Sequence, residues 1–221
     1  MHPSGFVVRY DATTGAPRWL RAVGNGSQQG AGDTGLWPHL EAAAVDATGA
    51  VVVGGYVDGN VGDRVNLGTP AAPVRVVVQG ASELVVARYA SDGTPLDGYG
   101  LGAVATAGGA RIRALAVHGG DVIARGVYTT AALDIGGIAL AGVGTSGQVD
   151  DFVARIAPGG TARWAHRLGP FGTADAAAMG VTAGGEVVIA DFYSGDPGPY
   201  DALDLPAASA SFDGYLMVLG R

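Results

Sequence analysis

Short apolar runs, separated by glycine-bearing turns, recur along this chain in a fixed order of four phrases. The first is "FVVRY" at 6–10, "VVARY" at 85–89, "FVARI" at 152–156 and "YLMVL" at 215–219. The second follows a turn: "APRWLRAVG" from Ala16, "TPLDGYGLG" from Thr94 and "TARWAHRLG" from Thr161. The third is small and apolar: "LEAAAVD" from Leu40, "IRALAVH" from Ile112 and "AAAMGVT" from Ala176. The fourth is "AVVVGGYVDG" from Ala50, "DVIARGVYTT" from Asp121 and "EVVIADFYSG" from Glu186. A tail, "VNLG", "LDIG" or "LDLP", leads into the next copy. Length, β-branched content and period-2 alternation predict a strand for every phrase. The turns "DATTG", "ASDG" and "APGG", and "DATG", "HGGD" and "AGGE", place Gly where a tight hairpin needs positive φ. No segment keeps a helical period, and the Ala-rich "LEAAAVD" follows its counterparts as a strand.

Successive copies start 79, 67 and 63 residues apart, at Phe6, Val85, Phe152 and Tyr215. The repeat units run over about 5–82, 83–149 and 150–210, with a final strand in 211–221, all in a single repeat domain. Four antiparallel strands per unit, repeated, predict an all-β β-propeller of four-stranded blades, with three units plus one extra strand in this chain. Small third phrases suit strands crowded near an axis. Trp19 and Trp164, at matching places, are expected to fill space between blades, and Asp97 stands where the second unit lacks that Trp. Propellers close with about 4–8 blades, and the first and last strands here are of the same kind. Two expectations follow: other copies complete the structure, or the chain is one piece of a longer propeller. Met1 comes almost directly before a repeat strand, which fits either a replaced leader or such a piece.

Composition narrows the chemistry. All 13 basic residues are Arg, so lysine-dependent Schiff bases and P-loop contacts are excluded. A net charge of −7 with no arginine stripe argues against a nucleic-acid surface. Cysteine is absent, which removes disulfides, thiolates and Cys-ligated metals. No apolar run approaches the length of a membrane span.

With "FVARIAPGGTARWAHRLG", "AAAVDATGAVVVGGYVDG" and "LDIGG" on the page, the chain resembles the bacterial SBBP-type β-propeller repeats in all three units. Arg9, Arg88 and Arg155 stand where that pattern usually has Lys, and the second unit diverges most. The resemblance implies no shared catalytic residues. It implies an exported or cell-surface bacterial protein, often beside adhesion-like domains.

Candidate chemistry is sparse. Trp37 and His39, with Asp33, could line a loop binding site. The turns "VDGNVGD" at 57–63 and "DFYSGDPGPYDALD" at 191–204 offer Asp oxygens of the kind Ca²⁺ takes, with Asp191 and Asp196 the candidate ligands. Neither stretch matches the D-x-[DN]-x-[DN]-G calcium loop with its distal Glu, and Asp also closes turns by bonding nearby amides. Asp150 and Asp151 belong to the repeat pattern and read as structural. His166 beside Trp164 reads as a surface or hydrogen-bonded histidine, and Ser146 in "GTSGQ" lacks a nucleophile elbow. "GAGDTG" at 30–35 has no Lys or helix to make a phosphate loop. Glutamates that could pair for glycosidase chemistry number three, Glu41, Glu83 and Glu186.

The expected function is a non-catalytic structural or interaction module that presents loops to a protein or glycan and is completed by other chains. No catalytic residue and no cofactor beyond calcium is named. The alternatives are a carbohydrate-active propeller hydrolase or lyase with an axial site, and a self-assembling ring or filament subunit.

Overall fold

A computed structural model describes residues 5–24, 36–105, 109–142, 149–170, 178–193, 199–200, 203–204 and 213–220. Every helix-or-strand element among them is a strand. The first are β1 (Gly5–Tyr10), β2 (Pro17–Val23), β3 (Trp37–Val45), β4 (Val51–Asp58), β5 (Arg64–Asn66) and β6 (Arg75–Val77). Next come β7 (Ser82–Tyr89), β8 (Pro95–Val104), β9 (Ala110–His118), β10 (Asp121–Tyr128), β11 (Ala132–Ile135) and β12 (Ile138–Ala141). The last are β13 (Asp150–Ile156), β14 (Ala162–Pro170), β15 (Ala178–Val181), β16 (Val187–Tyr193), β17 (Pro199–Tyr200), β18 (Leu203–Asp204) and β19 (Asp213–Leu219). Each phrase of the repeat forms a strand, including the Ala-rich third phrase, now β3. Among the described residues no helix is long and apolar enough to cross a membrane.

The pairing is offset from the repeat units by half a unit. The four strands of one sheet do not come from one unit: the third and fourth phrases pair with the first and second phrases of the next. Thus β3-β4-β7-β8 form one antiparallel sheet and β9-β10-β13-β14 a second. A third sheet, β15-β16-β19, has three strands, and β1-β2 stand as a hairpin. The reason is in the connections. Tight turns join the third phrase to the fourth and the first to the second. After the fourth phrase the chain makes a small side hairpin (β5-β6, β11-β12 or β17-β18) and returns antiparallel along the same sheet. The described residues of the tail motifs lie in these side hairpins.

The turn chemistry is local. In "DATG" the Asp46 carboxylate accepts the Thr48 and Ala50 amides at 2.8 and 2.9 Å, and Gly49 takes φ 80°. An L side chain at that φ would be strained, so Gly belongs there.

The layers stack face to face with an apolar core between each pair. Alternate residues of a strand serve different cores, as the period of 2 requires. On β4, Val51, Val53 and Val57 meet Val7, Trp19 and Val23 of the β1-β2 hairpin. On its other face, Val52 and Tyr56 join Ile112, Val122, Phe152 and Ala154 of the second sheet. Ile123, Val127 and Val153 of that sheet pack in turn on Val187, Ile189 and Met217 of the third. Each fully buried side chain of this size contributes roughly 1.5–3 kcal/mol.

Trp19 lies between layers: its indole Nε1 donates to the Ser91 carbonyl at 3.0 Å, and a Cβ on Gly93 would fall 2.7 Å from its ring. In the second unit Asp97 is ion-paired with Arg88 at 3.6 Å. Tyr99, two residues on, takes over the packing role: it is buried against Gly160, the counterpart of Gly93. Trp164 packs partly buried beside the third core.

Candidate functional site

The densest charged cluster sits inside the stack, between the second and third sheets. Arg125 on β10 and Asp151 on β13 are each 1 % exposed, and Asp191 on β16 is 8 % exposed. Val127 pairs with Asp151 across the ladder, so Arg125 and Asp151 are diagonal neighbours on one face. Asp191 comes from the opposing sheet. The Arg125 Nη2 donates to Oδ2 of both carboxylates, and the remaining Asp191 oxygen accepts the Phe192 amide at 2.8 Å. One guanidinium therefore ties two sheets together.

Its electrostatics are unbalanced, with one cation facing two carboxylates. Burial pushes Asp151 up to about 7 against the pull of Arg125, and the Asp191 and Asp150 charges push the same way as burial. Burial opposes the charge on Arg125, yet the two carboxylates outweigh it and raise its pKa. Burial also raises the Tyr215 phenol on β19, which faces the cluster. Among the described residues, Arg125 Nε and Nη1 and Asp151 Oδ1 have no hydrogen-bond partner. The arrangement can hold a proton near neutral pH on Asp151, which neutralises the cluster.

A second cluster lies at the turn end of the same interface. Asp121 accepts from Arg155 and Arg163, both at 2.8 Å, and His118 Nε2 lies 3.2 Å from the Ala183 carbonyl of the β15-β16 turn. Burial acts to raise the Asp121 pKa, but the two arginines hold it below the usual carboxylate range.

The residues singled out from sequence fall in different places. Asp191 is the interior ion-pair partner just described, with both carboxylate oxygens engaged, and Asp196 and Asp33 lie outside the described residues. Trp37 and His39 share a face of β3. Trp37 is 49 % exposed, and the His39 ring stacks on Tyr56 with centroids 4.4 Å apart. The Arg111 guanidinium lies over the same Tyr56 ring, 5.2 Å from its centroid. His39 and Arg111 thus flank the core residue Tyr56 at the start of β3, with the exposed Trp37 on the same face of that strand.

Asp150 accepts from Arg167 at 2.7 Å, beside Asp151 in the Arg125 cluster, so both acids tie strands together. His166 sits on β14 with its ring 5.4 Å from Trp164. In the 57–63 turn, Asp63 accepts the Asn60 amide at 2.8 Å. The glutamates are dispersed: Glu41 pairs with Arg113 at 3.2 Å, Glu186 accepts from Thr182 at 3.0 Å, and Glu83 is buried, accepting the Gln79 amide at 3.0 Å. Burial raises the Glu83 pKa. Ser146 and the 30–35 loop lie outside the described residues. An open cleft of about 460 Å³ beside the β4-β5 connection is lined by Gly59, Asn60, Gln79, Ala81 and Ala103.

Arg125 is the site residue that reading the sequence missed. Aligning the fourth phrases shows the trace: Gly54 becomes Arg125 and then Ala190, while Gly55 and Gly126 become Asp191. Arg125 and Asp191 thus stand in adjacent columns that hold glycine in the first unit, a trace visible only when the units are aligned. No protein-family model matches the chain, and a search of curated proteins returns no match.

Proposed function

We propose that the chain is a non-catalytic structural or interaction module, built as a β-propeller or a segment of one, of an exported or cell-surface bacterial protein. The observation that carries this reading is the stack itself: like sheets follow one another with a core between each pair, and their small-residue strands β3, β9 and β15 lie in series. The propeller geometry is supported by that succession and by the resemblance of the phrases to SBBP-type repeats. The chemistry points the same way. Asp121, Asp150, Asp151 and Asp191 are taken up by arginines that join strands or sheets, which is a structural use of carboxylates. The exposed Trp37, with His39 and, four positions before Trp37 in the sequence, Asp33, is the proposed contact point for a protein or glycan ligand.

The test is a glycan panel assayed for both binding and cleavage. The expected result is no turnover, with any binding lost on Trp37→Ala. Turnover abolished by Asp33→Asn, Asp191→Asn or Asp196→Asn would instead make the chain a carbohydrate-active enzyme.

A further inference from the structure

Both ends of the stack expose apolar side chains at positions that the repeat buries elsewhere. At the first end Phe6 is 65 % exposed, while its counterparts Val85 and Phe152 are at 1 % and 0 %. Tyr10 is likewise exposed where Tyr89 and Ile156 are buried, and Leu20 stands exposed on the same face. At the other end Leu216 is 70 % exposed, where Val86 and Val153 are at 0 %. Val218 is exposed beside it.

The two faces are not alike. Within the chain, the positions of Phe6 and Tyr10 always look back toward the preceding layer: Val85 and Tyr89 pack toward the β1-β2 hairpin, and Phe152 and Ile156 toward the first sheet. The position of Leu216 always looks forward: Val7 packs on the first sheet, Val86 on the second and Val153 on the third. The ends therefore carry the two complementary halves of an interface that the chain already forms between its own layers. Their edges are open as well, since among the described residues β1 pairs only with β2 and β19 only with β16.

We infer that a second copy of this chain covers these faces head to tail, with the Phe6–Tyr10–Leu20 face of one copy seated on the Leu216–Val218 face of the next. This rests on the reading of the chain as a repeat-built interaction module. A copy is the occupant because it carries the matching half of the same sheet-on-sheet contact. Such a contact is heterologous, so copies extend into a ring or a filament. Each copy carries a net charge of −7, so added salt strengthens the association by screening repulsion.

The experiment is sedimentation velocity over a concentration series on the 221-residue chain and on Phe6→Asp and Leu216→Asp. The wild type gains mass in multiples of the chain as concentration rises. Each variant alone stays monomeric, with association weakened about thirtyfold or more. An equimolar mixture of the two variants forms a 1:1 dimer and nothing larger, because it holds one intact face of each kind. Leu20→Asp and Val218→Asp repeat the test should either first variant fail to fold. A wild type that remains monomeric, or variants whose mixture stays monomeric while the wild type assembles, overturns the docking. Circular dichroism separates the two ideas: a folded, strand-rich monomer defeats only the docking, whereas loss of strand structure in the wild type defeats the module reading itself.

Discussion

The interface between the first and second sheets and the interface between the second and third are built on matching backbone positions with opposite chemistry. In the former, Gly54 and Leu84 face the layer that carries Gly126. In the latter, the corresponding positions are Arg125 and Asp151, facing Asp191. Space decides the first case. A Cβ on Gly54 would lie 3.0 Å from Leu115 and 3.2 Å from Ile112 of the facing sheet, while Gly126 is required by its own sheet, where a Cβ would lie 2.0 Å from the Arg111 carbonyl of β9. The second interface accommodates a guanidinium only because a carboxylate arrives opposite it in place of a glycine. An ion cluster of this kind costs desolvation that its attractions barely repay, so the surrounding apolar contacts carry the stability. What the cluster adds is a penalty for any arrangement that separates its members.

The largest effect is expected from breaking that cluster on one side. Arg125→Met leaves two buried carboxyl groups without a cation and should cost about 3–5 kcal/mol, measured by urea denaturation. Replacing all three members (Arg125→Met with Asp151→Leu and Asp191→Ala) should recover most of the loss and bring the second interface close to the first in character. A triple variant no more stable than the single one would show that the cluster is worth more than an apolar layer.

The apolar interface should answer differently. Phe152→Ala removes a fully buried ring and should cost about 3–5 kcal/mol, by an amount unchanged between pH 5 and pH 9 and insensitive to salt. A cost that drifted with pH would mean that the two interfaces are coupled.

A smaller effect, and the one that separates the interfaces most cleanly, is on pH. The Asp151 pKa rises on folding, from 3.8 to about 7. Between those values the folded chain holds a proton that the unfolded chain has released. The contribution of this group is therefore fully present below pH 3.8 and is lost as pH rises through 7. Asp151→Asn, which mimics the protonated acid, should gain stability relative to the wild type as pH is raised from 5 to 8, by on the order of a few kcal/mol. The check is the difference in denaturation midpoint at each pH, and a constant difference would remove the proton from the cluster.

The smallest effect belongs to the surface. Trp37→Ala, at a half-exposed position in none of the three cores, should change stability by no more than about 0.5 kcal/mol in thermal unfolding. A larger loss would mean that the ring is part of the packing rather than offered to a ligand.

Most of the local structure was legible in the chain. The phrase "AVVVGG" is a strand because β-branched side chains fit a pleated layer, and "DATG" is a turn because Asp46 bonds the amides that follow while Gly49 takes the positive φ. Trp19 was readable as filler between layers, and Asp97 as the point where the second unit must pack differently. That Tyr99 would supply the missing ring was not legible, since the turn it covers at Gly160 is 61 residues away. The same holds for the cluster. Asp191 read as a turn acid and possible calcium ligand, because its position at the end of an apolar run gives no hint of a guanidinium on a facing sheet.

By itself, then, the sequence determined the strands, their turns, the period of the repeat and which positions along each strand are apolar, because these depend on neighbours a few residues apart. Only the tertiary structure decided which phrases share a sheet, which buried charges meet and which apolar faces are left at the ends. Those outcomes depend on the stacking of layers, which brings together side chains as distant as Arg125 and Asp191 and sets a distance and a desolvation cost that no local pattern encodes.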